Sequence, residues 1–156
     1  MKNRKDIFFE TLKQNKILLV AGITMVILYY PIGLFHELGH YLVGWGSGST
    51  CVIYWYLAGH CDPVPEQYLL FWALGGIFGM IASFSLLILK KVRANKGILV
   101  GVLTLGFSQF VNFFFETFGH SAYLHSEIAS MLMAGSIGIV FVGLLRFYSP
   151  RSKNKT

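Results

Sequence analysis

Four apolar runs, at residues 17–44, 67–89, 98–118 and 128–147, are each long enough to cross a bilayer, and they constrain the fold before any other feature. A crossing takes about 20 residues, because a helix rises 1.5 Å per residue through a hydrocarbon core roughly 30 Å thick. Charged residues make up 13% of the chain against about 25% in soluble domains, so polar side chains are too few to cover a folded surface in water. An ordinary soluble enzyme, a disordered chain and a disulfide-dense secreted domain are thereby excluded. The expected fold is an all-α integral membrane protein with four transmembrane helices over residues 17–148, between basic segments 1–16 and 149–156. In the overlong first run, Pro31-Ile32-Gly33 predicts a kink or interruption. No small-residue cleavage site follows that run, so it reads as a retained helix and not as a signal peptide.

The basic residues set the expected topology. All thirteen lie in three places. Lys2, Arg4, Lys5, Lys13 and Lys16 precede the first run; Lys90, Lys91, Arg93 and Lys96 separate the second and third; Arg146, Arg151, Lys153 and Lys155 close the chain. The connections 45–66 and 119–126 contain none. By the positive-inside rule both termini are cytoplasmic and those two connections face outward. The net charge of +6 is then a topogenic signal and implies no nucleic-acid partner. Segment 1–16 carries Ile7, Phe8, Phe9 and Leu12 among its charges, which suits either an interfacial amphipathic helix or a frayed basic tail. Residues 90–96 read as a loop. The stretch 51–57, CVIYWYL, is β-branched and aromatic and predicts a short outer strand or hairpin. Cys51 and Cys61 flank it on the oxidising side, where a disulfide and two free thiols are both open.

The sharpest motif is His36-Glu37-Leu38-Gly39-His40, which arises by chance in about half a percent of chains of this composition. On a helix, positions i and i+4 share a face, so both imidazoles can bind one metal. The glutamate between them can then act as general base toward an activated water. An ionisable trio inside an apolar run is costly in lipid and marks function by default. Zinc suits imidazole and carboxylate donors and requires a third protein ligand. Along a straight helix His36 lies about 28 Å from Ile17, near the outer edge of the core, and Glu116 and Glu127 reach comparable depth. Gln109, Asn112, Glu116 and His120 follow spacings of one helical face, a polar stripe that should point into the bundle. His60, Asp62, His120 and His125 are further polar residues able to approach from the outer loops, although solvated loop positions are the ordinary role for such residues. Gly75 and Gly79 form a small-xxx-small pair suited to close helix packing. Phe113-Phe114-Phe115 reads as lipid-facing or core.

An HExxH box inside a membrane helix, a short outer strand segment and then a Gly-rich helix (Gly75-Gly76-Ile77-Phe78-Gly79) together resemble the site-2 protease family of intramembrane zinc metalloproteases. The resemblance covers roughly residues 17–143. It implies an asparagine near the end of a later helix that helps hold the substrate strand, and an aspartate opening the next helix as third zinc ligand. Asn112 takes the asparagine's place. Glu127, in the stretch 124–128 (LHSEI), takes the aspartate's place and is favoured over Glu116, which then orients a histidine. The chain departs from the family in having glutamate for aspartate, no glycine after it, and no prolines after the asparagine.

The expected activity is therefore cleavage of peptide bonds in membrane-associated substrates. His36, His40 and Glu127 (alternatively Glu116) would hold zinc, Glu37 would act as base, and the site would face outward. Stretch 52–56 would pair with an unwound substrate. A non-proteolytic zinc-binding membrane protein of the same fold is the alternative. A transporter is a weaker one, since four helices show no inverted repeat.

Overall fold

A computed structural model describes residues 4–65, 68–119 and 127–148. The fold is mostly helical, with one small sheet. Helix α1 (Arg4–Gly46) leads into an antiparallel hairpin of β1 (Thr50–Tyr54) and β2 (Ala58–Asp62). Helix α2 (Tyr68–Ser85) follows, then a 3-10 turn at Leu86–Ile88, the short α3 (Lys90–Ala94), α4 (Lys96–Phe118) and α5 (Glu127–Tyr148). Among the described residues, three helical segments are long and apolar enough to cross a membrane: Thr11–Gly46, Leu69–Ile88 and Lys96–Phe118. The fourth expected crossing corresponds to α5, whose apolar stretch among the described residues is the shorter Ala134–Tyr148.

Two expectations are corrected. Helix α1 is continuous for 43 residues and takes Pro31 into its interior, so the expected interruption does not occur. The proline removes one backbone donor and frees the carbonyl one turn earlier, and a long apolar helix tolerates a single such loss. The same helix takes in residues 4–16, because no glycine or proline occurs between Arg4 and Ala21 to stop it. Residues 90–94 form α3 where a loop was expected. Lys, Arg and Ala are good helix formers, Val92 is buried beneath them, and Asn95 ends the turn by capping α4.

Helices α1, α2 and α4 pack on one another, and α5 packs on α4. Glycines set the close approaches. Gly97 and Gly101 of α4 lie against Val20 and Thr24 of α1, so these two helices run parallel. Gly76, Gly79 and Phe84 of α2 meet Phe113, Gln109 and Gly106 of α4, so α2 runs antiparallel to α4. The hairpin folds back along α1: Gly44 faces the Cys51–Cys61 disulfide, Glu37 meets Gly59, and Gly33 receives the Leu57 side chain. Leu57 closes the hairpin turn with φ 61°, a left-handed backbone costing a leucine about 1–2 kcal/mol.

Candidate metal centre

The site is built where α1, α2 and α4 meet. HELGH lies on unbroken helix, so His36 and His40 stand one above the other, both buried. Their rings are fixed from behind. His40 Nδ1–H donates to the Phe71 carbonyl at 2.7 Å, and His36 Nδ1–H donates to Gln109 Oε1 at 2.8 Å. With each proton on Nδ1, both Nε2 atoms present lone pairs, and these converge to 3.1 Å. Glu116 completes the group from α4, with carboxylate oxygens 3.2 Å from His36 Nε2 and 3.6 Å from His40 Nε2. It is 7% exposed, and its Oε2 has no hydrogen-bond partner among the described residues.

Four buried acceptors facing one another repel unless a proton or a metal cation lies between them. The donor set of two imidazoles and a carboxylate is the His2Glu set of catalytic zinc sites. Tetrahedral zinc with bonds of about 2.1 Å needs donors about 3.4 Å apart, and the observed separations bracket that value. The buried His36, His40 and Glu116 group can therefore hold a metal ion, and its donor atoms all lie within 4.8 Å of one another.

Glycine makes the pocket possible. At Gly75 a Cβ would fall on the His40 ring, at Gly39 on the Leu74 carbonyl, and at Gly79 on the Gln109 side chain. The Gly-rich segment of α2 thus admits an imidazole and its supporting amide. Packing against a ring, not helix against helix alone, accounts for Gly75. Glu37 is directed toward the hairpin, where its carboxylate takes a backbone hydrogen bond from Gly59. A side chain at position 59 would come within 2.6 Å of Glu37 Oε2.

The remaining candidates are distributed as follows. Asn112 lies half-buried on α4, one turn before Glu116, with Oδ1 buried and without a hydrogen-bond partner among the described residues. His60 and Asp62 are exposed on β2 and stand outside the donor group. Cys51 and Cys61 are joined. Glu127 is the first residue of α5, and its side chain, like His120 and His125, lies outside the described residues. The described carboxylate that meets both histidines is Glu116, the sequence alternative. The Phe71 carbonyl had no signal in the sequence, since a backbone acceptor leaves none. Comparison with known proteins finds no family model, curated protein or solved structure that matches the chain.

Proposed function

We propose that this protein is a membrane-embedded zinc metallopeptidase, similar in kind to the site-2 proteases, that cleaves peptide bonds of membrane-associated substrates. The observation that carries the reading is the convergence of His36, His40 and Glu116 within 4.8 Å, with Glu37 between the two histidines on one helix.

Several features support placement in a bilayer. In the most apolar stretches of α1, α2 and α4, only 11%, 33% and 44% of residues are buried in the fold. Leu18, Leu19, Ile23, Val26 and Ile27 are exposed together along α1, a surface suited to acyl chains. The described lysines of α1, α3 and α4 gather at one end of the bundle, and the donor group lies about 28 Å further along α1. Phe141 of α5 shares a groove with Leu18, Leu19 and Ile27 of α1, consistent with a fourth crossing that returns to the basic end. By the positive-inside rule that end is cytoplasmic and the site lies near the outer surface.

When bound, zinc supplies a Lewis acid for the scissile carbonyl and lowers the pKa of a water to about 7. Glu37 takes the proton from the attacking water and returns it to the leaving amine. Gln109 and the Phe71 carbonyl hold the imidazoles in the tautomer that faces the site. Among the described residues no third strand pairs with the hairpin, so an extended substrate segment can add at its edge. Asn112 Oδ1 is an acceptor for a backbone N–H of that segment.

The test is cleavage of membrane-anchored peptide reporters by purified protein in proteoliposomes. Wild type cleaves, loses activity to a chelator and regains it with zinc. Glu37→Gln keeps about one zinc per chain and loses about 10²–10⁴-fold in rate, the usual share of a general base. Asn112→Ala keeps zinc and cleaves more slowly. A zinc-loaded wild type that hydrolyses no reporter, or a Glu37→Gln protein as active as wild type, would leave a metal-binding membrane protein without this chemistry.

A further inference from the structure

The opposite end of the molecule carries a second constellation, unrelated to the metal centre. A cavity of about 660 Å³ lies between α1 and the α3–α4 junction, within the roughly 300–1,000 Å³ typical of ligand sites. Four lysines reach it from two walls: Lys13 and Lys16 from α1, Lys91 from α3 and Lys96 from the start of α4. Positions 13 and 16 share a helical face with Ile17 and Val20, so the ammonium groups stand over an apolar floor that Ala94 extends. Among the described residues no carboxylate lines the cavity and none of the four lysines is ion-paired. Four like charges around one hollow repel one another, and an anion between them relieves that repulsion.

The first amides of α4 do not serve this anion. Asn95 Oδ1 accepts from Gly97 N–H at 3.0 Å and from Ile98 N–H at 3.3 Å, so the helix start is already capped. Recognition therefore falls to the lysines. Lysine ammoniums act as point charges toward a phosphate oxygen, and the apolar floor accepts hydrocarbon beside it.

We propose that this cavity is a binding site for a phosphate group, held by Lys13, Lys16, Lys91 and Lys96. Basic pockets between helices at a cytoplasmic surface recognise the head groups of anionic phospholipids, and a free phosphate offers the same chemistry. The site is independent of the peptidase reading and rests on the bilayer placement only for the source of the phosphate.

The experiment uses the full chain in neutral detergent micelles, titrated in separate arms with phosphatidic acid, phosphatidylcholine of the same chain length, and inorganic phosphate. Saturable binding of about one phosphatidic acid per chain, unaffected by phosphatidylcholine, supports the site and names the lipid as source. Saturable inorganic phosphate with the same variant pattern supports the site and names the free ion. Lys16→Gln/Lys96→Gln, one residue from each wall, weakens binding about 30-fold, at about fivefold per lysine. Lys90→Gln/Arg93→Gln removes equal charge from the same end outside the cavity and weakens it by less than about threefold. Lys16→Arg/Lys96→Arg keeps the charge and retains binding, which separates loss of the ligand from loss of the fold. No saturable binding of either phosphate probe overturns the proposal, as does equal weakening by the two glutamine pairs.

Discussion

Gly75→Ala offers the most direct test of how the helices build the metal centre. The added Cβ falls 2.8 Å from His40 Cδ2 and closer still to Cε1 and Nε2. Ordinary carbon contact begins near 3.5 Å and Cε1 would lie 2.5 Å away, so the ring has to retreat by at least about 1 Å. Movement of that size away from Phe71 stretches the 2.7 Å hydrogen bond to about 3.7 Å, past the usual limit near 3.2 Å. In any direction it exceeds the ~0.2 Å within which metal–ligand distances are held. Overpacking costs about 1–3 kcal/mol and the lost hydrogen bond about 0.5–1.5 kcal/mol. Disturbing the support of a ligand weakens a metal about 10–100-fold, and shifting the ligand itself does at least as much. The assay is zinc affinity by chelator competition on detergent-purified protein, with thermal melting of the metal-free form alongside. Gly22→Ala on α1 is the control, since a Cβ there meets nothing within 4 Å. It should bind zinc normally and melt no lower than wild type. A Gly75→Ala protein with wild-type zinc affinity would refute the packing argument, because the ring would then not be where the ligand geometry requires it.

Other substitutions probe the same centre. Glu116→Gln preserves shape while removing the carboxylate and should weaken zinc by more than about 100-fold, beyond the range for residues that merely support a ligand. Glu127→Gln should change it less than about threefold, and the reverse order in metal analysis would move the third ligand to α5. Gln109→Ala removes the acceptor of His36 Nδ1–H at 2.8 Å and should weaken zinc about 10–100-fold with binding still measurable; an unchanged affinity would show the amide to be incidental. Cys51→Ser/Cys61→Ser opens a loop of sequence separation 10 and should cost about 2–3 kcal/mol. Amide exchange over residues 50–62 should accelerate while the helices stay protected, and uniform acceleration through α2 and α4 would assign the disulfide a global role.

Local geometry explains what could be read from the residues in order. The spacing of His36 and His40 places two imidazoles on one face of any helix, whatever that helix packs against. The segregation of the lysines and arginines from the apolar runs is likewise a property of the linear chain, as is the hairpin tendency of the stretch 51–57. Periodicity also marked Gln109, Asn112 and Glu116 as one stripe, without saying what it faced. Local rules misjudged two places. Pro31 suggested a break that the continuous α1 absorbs, and residues 90–94 had room for a helical turn.

The third donor was a tertiary matter. Glu116 and Glu127 stand at similar depths along their own runs, and nothing local distinguishes them. The parallel packing of α4 on α1, allowed by Gly97 and Gly101, carries Glu116 up to the histidines and Gln109 to His36. The antiparallel passage of α2 brings the Phe71 carbonyl behind His40 and opens a space at Gly75 for its ring. The sequence by itself determined that two histidines share one helical face with a glutamate between them in the chain, because neighbours on a helix are set by its 3.6-residue turn. Only the packing of three helices decided what completes and orients them, since contacts between distant segments depend on which surfaces fit.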